Sequence, residues 1–239
     1  MLENLLFKNI LFLDIETVPQ YPEFDDAPVA IRNLWEKKAM YLRSDGETPD
    51  SLYRRAGIYA EFGKIICISC GYFADEKFRL KTYCGHDEHD LLTRFAEMLQ
   101  RFCISPERQL CAHNGKEFDF PFLARRMLIQ GIKLPTVLDT AGKKPWEVNH
   151  LDTMELWKFG DFKSYTSLAL LAEVFGIPTP KDDIDGSRVW EVYWVEKNLE
   201  RISTYCQKDV LTVAQILRKF RGEPLILPEQ VEDAILQGS

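Results

Sequence analysis

The sequence predicts an α/β fold in which a mixed five-stranded sheet is flanked by helices. Strand-like apolar runs begin near residues 10, 64, 77, 109 and 149, and the second and third are close enough to form a hairpin. Segments with helical spacing of apolar residues follow the hairpin and separate the later runs. This order is typical of one sheet covered by helices, and not of two independent domains.

The composition is that of a folded globular protein. Hydrophobic residues make up 46% of the chain, and no apolar run approaches the roughly 18 residues of a membrane span. The N-terminus does not have the pattern of a signal peptide, so we expect a cytoplasmic protein without membrane contact. A net charge of −7 argues against a protein that coats nucleic acid by neutralising phosphates. It does not argue against a nuclease, because carboxylates that bind metal ions count as negative in this sum.

The first predicted strand, residues 10–17, leads into a proline-punctuated stretch. Apolar residues at helical spacing predict a helix over 27–44, and a second short helix is predicted over 49–58. Together they predict an inserted, mainly helical segment at about 20–62. Basic and aromatic side chains interleave there with acids, which fits either a solvated face or an arm that contacts substrate.

The predicted hairpin covers residues 64–73 and 77–83, and a helix capped by Asp87 or Asp90 follows it to about residue 102. The remaining predicted elements are a strand at 109–114, a helix at 118–129, a strand at 149–153 and helices near 165–175, 187–197 and 198–220. We therefore predict a single domain over residues 1–222, followed by a C-terminal tail over 223–239.

Two acids spaced by one residue end the first strand. Successive side chains of a strand point to opposite faces, so Asp14 and Glu16 project from the same side of the sheet. Two carboxylates held together at a partly buried sheet end favour a divalent cation with oxygen ligands. On this stretch alone, an edge strand whose acids face water is the alternative interpretation.

A third acid, Asp119, lies where a central strand gives way to a helix. Open α/β sheets bind ligands at such strand ends, where Asp119 would meet the first two acids. Its place in the first turn of a helix is also explained by the helix dipole alone. A further strand-end acid, Asp152, is predicted to support the site.

Tyr205 and Asp209 are four residues apart on the last predicted helix and therefore share one face. A phenol and a carboxylate that point the same way fit a catalytic pair. The flanking residues are apolar, so a core tyrosine beside a solvated acid explains this spacing equally well.

Three motifs follow one another along the chain: Asp-x-Glu at the end of the first strand, Asn-x-x-x-Phe-Asp at the mid-chain strand-to-helix junction, and Tyr-x-x-x-Asp on the late helix. With these motifs the chain resembles the DEDD superfamily of 3′-5′ exonucleases, in its tyrosine subclass (DEDDy). It is most similar to the predicted exonucleases related to the proofreading domain of family B DNA polymerases. The resemblance covers about residues 10–220 and implies a ribonuclease H-like fold.

The resemblance implies that four acids bind the metal ions: Asp14, Glu16, Asp119 and Asp209. Tyr205 would orient the attacking water. The histidine subclass has its histidine five residues before the last acid, and that position is Thr204 here. Carboxylates suit two hard divalent ions, and Mg²⁺ or Mn²⁺ fits better than zinc because no soft ligand is expected in the site.

The resemblance also implies how nucleic acid is bound. Asn114 and Phe118 would hold and stack the terminal nucleotide, and Thr17 lies where the 3′ end is bound. We expect a single-stranded nucleic acid partner, with DNA favoured over RNA. No polymerase domain fits in the remaining length, so proofreading would require a polymerase or repair partner in trans. An exoribonuclease of the same subclass and a catalytically silent nucleic-acid-binding module remain alternatives, although the latter is expected to lose at least one metal acid.

Overall fold

The computed structural model describes residues 2–161, 165–178 and 184–233 of the 239. A six-stranded mixed sheet forms the centre, in the order β5-β4-β1-β2-β3-β6. Strand β1 pairs antiparallel with β2 and parallel with β4, and β2 pairs antiparallel with β3. The predicted α/β class with a mixed sheet is confirmed. The strands are β1 (Ile10–Pro19), β2 (Gly63–Ala74), β3 (Lys77–Cys84), β4 (Gln109–Ala112), β5 (Leu151–Asp152) and β6 (Val231–Asp233).

Helices cover both faces of this sheet. They are α1 (Val29–Ala39), α2 (Glu88–Phe102), α3 (Asp119–Ile129), α4 (Thr153–Lys158), α5 (Leu168–Val174) and α6 (Leu199–Phe220). The two faces alternate along β1, because Leu11 and Leu13 pack into the core under α2 and α3, whereas Phe12 packs under α6. None of the helices in the described part of the chain combines the length and apolar character that a membrane crossing requires.

Local signals explain the hairpin and the helix after it. Asp75 and Glu76 both have positive φ, 50° and 63°, as the two central residues of a type I′ hairpin turn do. Asp87 then caps α2 by accepting a hydrogen bond from the backbone N–H of Asp90 at 3.0 Å. Of the two predicted caps, Asp87 is therefore the one used.

The segment between β1 and β2 builds a small core of its own around Trp35, whose indole N–H donates to the carbonyl of Pro49 at 2.7 Å. The predicted helix over 27–44 is present as α1, but the predicted helix over 49–58 is only a 3₁₀-helix, Tyr53–Ile58. This 3₁₀-helix lies against the end of β1, where a Cβ on Gly57 would approach the Pro19 nitrogen to 3.1 Å.

The predicted number of five strands is wrong, because part of the predicted tail forms a sixth. Val231 pairs in parallel with Phe78 of β3, so β6 extends the far edge of the sheet. Gln215 of α6 holds the approach to β6 by two hydrogen bonds to the backbone of Ile226, of 2.9 and 2.8 Å. A three-residue strand with two acids has no strand-like apolar pattern, which explains why it was missed. Residues 234–239 lie outside the described part.

Two other predicted elements are shorter than expected. The strand predicted at 149–153 is reduced to Leu151–Asp152, because Asp152 caps α4 at once by accepting from the backbone N–H groups of Met154 and Glu155. The helix predicted near 187–197 contains a five-residue π-helical turn, Glu191–Val195, before α6 begins.

A buried ion pair joins the layers on the α2 side of the sheet. Arg126 of α3 donates from Nε to Glu88 of α2 at 2.9 Å, and both side chains are almost fully buried. Glu88 also accepts from the backbone N–H of Ile65 at 2.7 Å, and Arg126 donates to the carbonyl of Ala60 at 2.8 Å. The pair thus connects two helices to the start of β2, and each charge has several partners.

Glu88→Gln is expected to lower the free energy of unfolding by about 3–5 kcal/mol, because it leaves the Arg126 charge buried without its counter-ion. The matched control is Asp90→Asn on the same helix, whose ion pair with Arg94 is half-exposed and contributes less than about 1 kcal/mol. Urea unfolding of both variants measures the difference. Equal losses in the two variants would contradict the importance of the buried pair.

Candidate active site

Strand β1 delivers the first two acids of the site. Asp14 lies opposite Ser69 of β2 and Glu16 opposite Cys67, so both acids face the α6 side of the sheet, as predicted. The pairing register shifts between Glu16 and Thr17, which marks an irregularity at this point of the strand. Glu16 is only 7% exposed, and its carboxylate has no hydrogen bond or ion pair with any described residue.

Helix α6 brings three further side chains against these acids. Its apolar face packs on the sheet through Ile202 and Val210, both fully buried, and this fixes the rotation of the helix. Cys206 then lies beside β1, with its Sγ 3.3 Å from Oδ2 of Asp14. One residue earlier, Tyr205 lies close enough to Asp209, Glu16 and Asp14 for their charges to raise the pKa of its phenol.

The first residue of α3 contributes the third predicted acid. Asp119 is 3% exposed, and the backbone N–H groups of Asp119 itself and of Ile15 on β1 lie near its carboxylate, where they lower its pKa against the larger effect of burial. The start of α3 therefore lies beside the strand that carries Asp14 and Glu16. The helix dipole contributes as well, because the N-terminal turn favours a negative charge.

The carboxylates of this pocket shift one another's proton affinity. Burial, followed by the neighbouring Cys206, raises the pKa of Asp14 and of Glu16 well above the usual range. Asp119 and Asp209 raise both pKa values further, which shows that the four acids share one environment. Burial raises the pKa of Asp119 to about 7.

Tyr205 experiences the same negative field. Burial, followed by the charge of Asp209 and then of Glu16 and Asp14, raises the pKa of the Tyr205 phenol far above its ordinary value. The phenol is therefore neutral at physiological pH. Within the pocket it can donate a hydrogen bond or accept one.

The strand-end acid Asp152 organises the loop that precedes α3. Its carboxylate accepts from the backbone N–H groups of Asn114 at 2.9 Å and Lys116 at 3.1 Å, in addition to capping α4. Four backbone donors occupy this one carboxylate. These contacts agree with the predicted supporting role.

The loop from β4 to α3 has a constrained backbone. Asn114 has a φ of 64°, in the left-handed region, and Gly115 follows because a Cβ there would lie 2.4 Å from the Ala112 Cβ. His113 is held between the Thr153 hydroxyl at 2.9 Å and the Thr166 carbonyl at 2.8 Å. The loop is therefore held on both sides before it reaches the acids.

The three predicted substrate contacts lie on the segments of the chain that carry Glu16 and Asp119. The Oδ1 atom of Asn114 is buried and makes no hydrogen bond within the described residues. Phe118 stands immediately before α3, half-buried, with its ring centroid 5.4 Å from that of Phe122. Thr17 follows Glu16 at the register shift of β1.

Cys206 is the site residue that the sequence analysis missed. The expectation that the site offers no soft ligand is wrong, because ligand atoms of Asp14, Glu16 and Cys206 all lie within 4.8 Å of one another. A signal was present, since Cys206 is four residues from both Ile202 and Val210 and so shares their buried helix face. Nothing local indicated that this face ends against the two acids.

Known proteins are similar to this chain over most of its length. The family described as "Predicted 3'-5' exonuclease related to the exonuclease domain of PolB" matches residues 58–221, which include Asp119, Tyr205 and Asp209. The DNA polymerases of Pyrococcus glycovorans and Thermococcus gorgonarius are each 26% identical to the chain over 219 and 221 residues. DNA polymerase 1 of Pyrococcus abyssi is 24% identical over 219 residues.

Each of these alignments covers 82% of the chain but only 28% of the polymerase, so the chain spans little more than a quarter of the length of these relatives. The family match covers well over half of the chain. Its description agrees with the α/β architecture and with the exonuclease resemblance seen in the motifs. The chain therefore belongs to the family of predicted 3′-5′ exonucleases related to the exonuclease domain of PolB.

Proposed function

We propose that the chain is a metal-dependent 3′-5′ exonuclease that hydrolyses the terminal phosphodiester bond of single-stranded or frayed DNA and releases nucleoside monophosphates. What supports the proposal is the electrostatic interaction among four acids and a tyrosine, drawn from a strand, a helix start and a long helix, in a partly buried pocket. They are Asp14, Glu16, Asp119, Asp209 and Tyr205.

The four acids are proposed to hold two divalent ions, Mg²⁺ or Mn²⁺. Buried carboxylates with raised pKa values need either protons or cations to neutralise them, and the Glu16 carboxylate, which no described donor or cation contacts, fits a metal ligand. When bound, two such ions stabilise the attacking and the leaving oxygen of the displacement.

Tyr205 is proposed to orient the attacking water. Its phenol stays neutral because of burial and of the surrounding negative charge, so it keeps an O–H group for hydrogen bonding at neutral pH. Its place beside Asp209 puts this hydroxyl at the edge of the acid cluster. A positioned water raises the rate because the reacting atoms need not be brought into line from solution.

The terminal nucleotide is proposed to lie over Asn114, Phe118 and Thr17. The unpaired Oδ1 of Asn114 offers an acceptor to a sugar or base, and Phe118 offers a stacking face. Stacking of this kind contributes roughly 1–3 kcal/mol per base and is tolerant of sequence. We favour DNA over RNA because the relatives above are named DNA polymerases. Discrimination through the 2′-hydroxyl is the point on which an exoribonuclease would differ.

A cationic and aromatic patch, formed by Lys64, Trp194 and Lys197, is proposed to guide the single strand. Lys64 pairs with Val18, two residues beyond Glu16, and its ammonium lies 4.8 Å from the Trp194 ring centroid. Lys197 lies 4.9 Å from the same ring. Aromatic faces beside cations suit a single-stranded chain despite the negative net charge.

Proofreading for a separate polymerase in trans is a proposal that follows from the proposed exonuclease activity.

Asp209→Asn is expected to lower 3′-end degradation by at least about 10²-fold, because it removes one of the charges that would hold the metal ions. The fold should be retained, since the amide has the same shape. The assay follows 5′-labelled single-stranded DNA and matched RNA with Mg²⁺, Mn²⁺ or a chelator.

Glu200→Gln, an exposed acid on the same helix, is the control and should degrade the substrate like the wild type. A ladder that shortens from the 3′ end and depends on metal would support the proposal, and the preferred substrate would separate deoxyribonuclease from ribonuclease. Wild-type binding without degradation under every condition would instead favour the silent module.

Tyr205→Phe is expected to reduce kcat by up to about 10²-fold while leaving metal affinity nearly unchanged, because the hydroxyl positions water and does not bind the ion. Single-turnover hydrolysis and isothermal titration with Mn²⁺ measure the two quantities separately. A large loss of Mn²⁺ affinity with normal turnover at saturating metal would contradict this role.

Stabilisation by Mg²⁺ is expected to grow with pH. In the metal-free protein Asp119 has a pKa of about 7 against 3.8 for an isolated side chain, so the folded state keeps a proton that the unfolded chain releases. The contribution of Asp119 to the stability of the metal-free protein is therefore present in full at low pH and is lost as pH rises through about 4 to 7. Melting temperatures with Mg²⁺ or chelator between about pH 5 and pH 8 measure the effect. If the difference between the melting temperatures with Mg²⁺ and with chelator became smaller as pH rises, the assignment of Asp119 as a metal ligand would be contradicted.

A further inference from the structure

The sulfur of Cys206 stands beside the two acids of β1. It lies 3.3 Å from Oδ2 of Asp14 and 3.4 Å from the Asp14 carbonyl oxygen. Ligand atoms of Asp14, Glu16 and Cys206 are all within 4.8 Å of one another. Two ligands of a tetrahedral zinc ion, a thiolate at about 2.3 Å and a carboxylate oxygen at about 2.1 Å, stand about 3.6 Å apart. The 3.3 Å between the Cys206 sulfur and Oδ2 of Asp14 is close to that value.

Glu16 supplies an independent indication that this pocket takes a cation. It is 7% exposed, so more than nine-tenths of its surface is buried. Its carboxylate has no hydrogen bond or ion pair with any described residue, although one of its oxygens belongs to the three-atom cluster. A buried carboxylate without a donor is costly unless a cation completes its surroundings.

A set of two oxygens and one sulfur differs in chemistry from the four oxygens proposed to bind Mg²⁺ or Mn²⁺. Magnesium is a hard ion that prefers oxygen ligands and octahedral geometry, so the Cys206 sulfur adds nothing to its binding. Zinc is tetrahedral and binds thiolate, carboxylate and water together. The same pocket therefore offers a second coordination mode.

We propose that Asp14, Glu16 and Cys206 form a tetrahedral binding site for thiophilic divalent ions of the zinc class, with water as the fourth ligand. On binding, the Cys206 thiol releases its proton to solvent and the sulfur forms a bond to the metal; no oxidation or reduction takes place. This ion uses two of the four acids that the exonuclease needs. Zinc bound at this site would therefore inhibit the exonuclease. This inhibition rests on the proposed function, whereas the binding of zinc does not.

A second thiol arrangement lies next to the site and has to be distinguished from it. Cys67 lies opposite both Glu16 and Cys84 in the sheet, and its thiol is within hydrogen-bonding reach of Cys206 and Cys84. An ion held by these three sulfurs would not need Asp14 or Glu16. Variants of the acids and of Cys84 separate the two arrangements.

The test titrates metal-free protein with Co²⁺, which takes the place of zinc and reports thiolate ligation through a sulfur-to-cobalt charge-transfer band. The wild type should show this band, together with the visible bands of tetrahedral cobalt, and added Zn²⁺ should remove both. Cys206→Ser should abolish the charge-transfer band. Glu16→Gln should weaken Co²⁺ binding by at least about tenfold, the lower range found even for partners outside the ligand shell.

Cys103→Ser is the matched control, because Cys103 is a half-buried free thiol at the end of α2, on the opposite face of the sheet from Asp14 and Glu16. It should keep the full band. Absence of the band in the wild type would overturn the proposal whether or not any variant folds. A charge-transfer band that remains in Cys206→Ser would also overturn the proposal. So would a band that is lost in Cys84→Ser but unchanged in Glu16→Gln, because the ion would then be held by the three sulfurs.

Inhibition supplies a second readout. Each variant is first assayed with Mg²⁺ alone, and Zn²⁺ inhibition is then scored against that variant's own rate. Cys206→Ser should raise the Zn²⁺ concentration needed for half inhibition by at least about tenfold. Equal inhibition of Cys206→Ser and Cys103→Ser would contradict the sulfur ligand. If the protein hydrolyses nothing, the proposed function fails, while the cobalt spectrum still decides the metal site.

Discussion

Mutual repulsion among buried carboxylates is the constraint on which the rest of this structure depends. Asp14, Glu16 and Asp119 are drawn out of water into one pocket, where each raises the free energy of charging the others. Removing an ion from water costs several kcal/mol even after relaxation. Left to itself, a flexible chain would spread these acids apart. The scaffold has to oppose that tendency through contacts that do not involve the acids.

Each part of the site is held by a different kind of contact. Strand pairing with β2 and β4 on either side fixes the two acids of β1. Apolar packing of one face of α6 on the sheet fixes Tyr205 and Asp209. Asp119 depends on a loop that Asp152 holds through backbone N–H groups, and its carboxylate lies near the backbone N–H of Ile15. Asp152 is thus an acid whose carboxylate already has four hydrogen-bond donors, in contrast to Glu16. Its contribution to function is the shape of the loop.

The inserted segment also contributes to the scaffold of the site, because it is attached at the end of β1, the strand that carries Asp14 and Glu16. Its 3₁₀-helix packs on the end of β1, and the carbonyl of Pro22 accepts from the indole of Trp190 at 3.0 Å. The guanidinium of Arg54 lies 3.9 Å from the centre of the same indole ring. The segment is thereby joined to the stretch that precedes α6.

Features with a short period could be read from the sequence alone. The same-face placement of Asp14 and Glu16 follows from the two-residue period of a strand, and that of Tyr205 and Asp209 from the helical turn. The sequence also predicted the hairpin, the mixed α/β class and the N-termini of the helices at Asp87 and near Asp119. Turn and capping signals lie within a few residues of one another, so they can be recognised locally. The resemblance to known exonucleases then supplied a role for each acid.

Only the tertiary structure brought those local features together. The place of Cys206 against Asp14 depends on the rotation of α6 over the sheet, which is set by packing between residues almost 200 positions apart in the chain. Two other contacts likewise join segments whose local sequence does not indicate their partners. They are the pairing of β6 with β3 and the hydrogen bonds from four backbone donors to Asp152. Local sequence determines which face a side chain takes on its own element. The burial of apolar surface over the whole chain decides which other residues that face contacts. Residues distant in sequence contribute to this burial free energy as much as near ones.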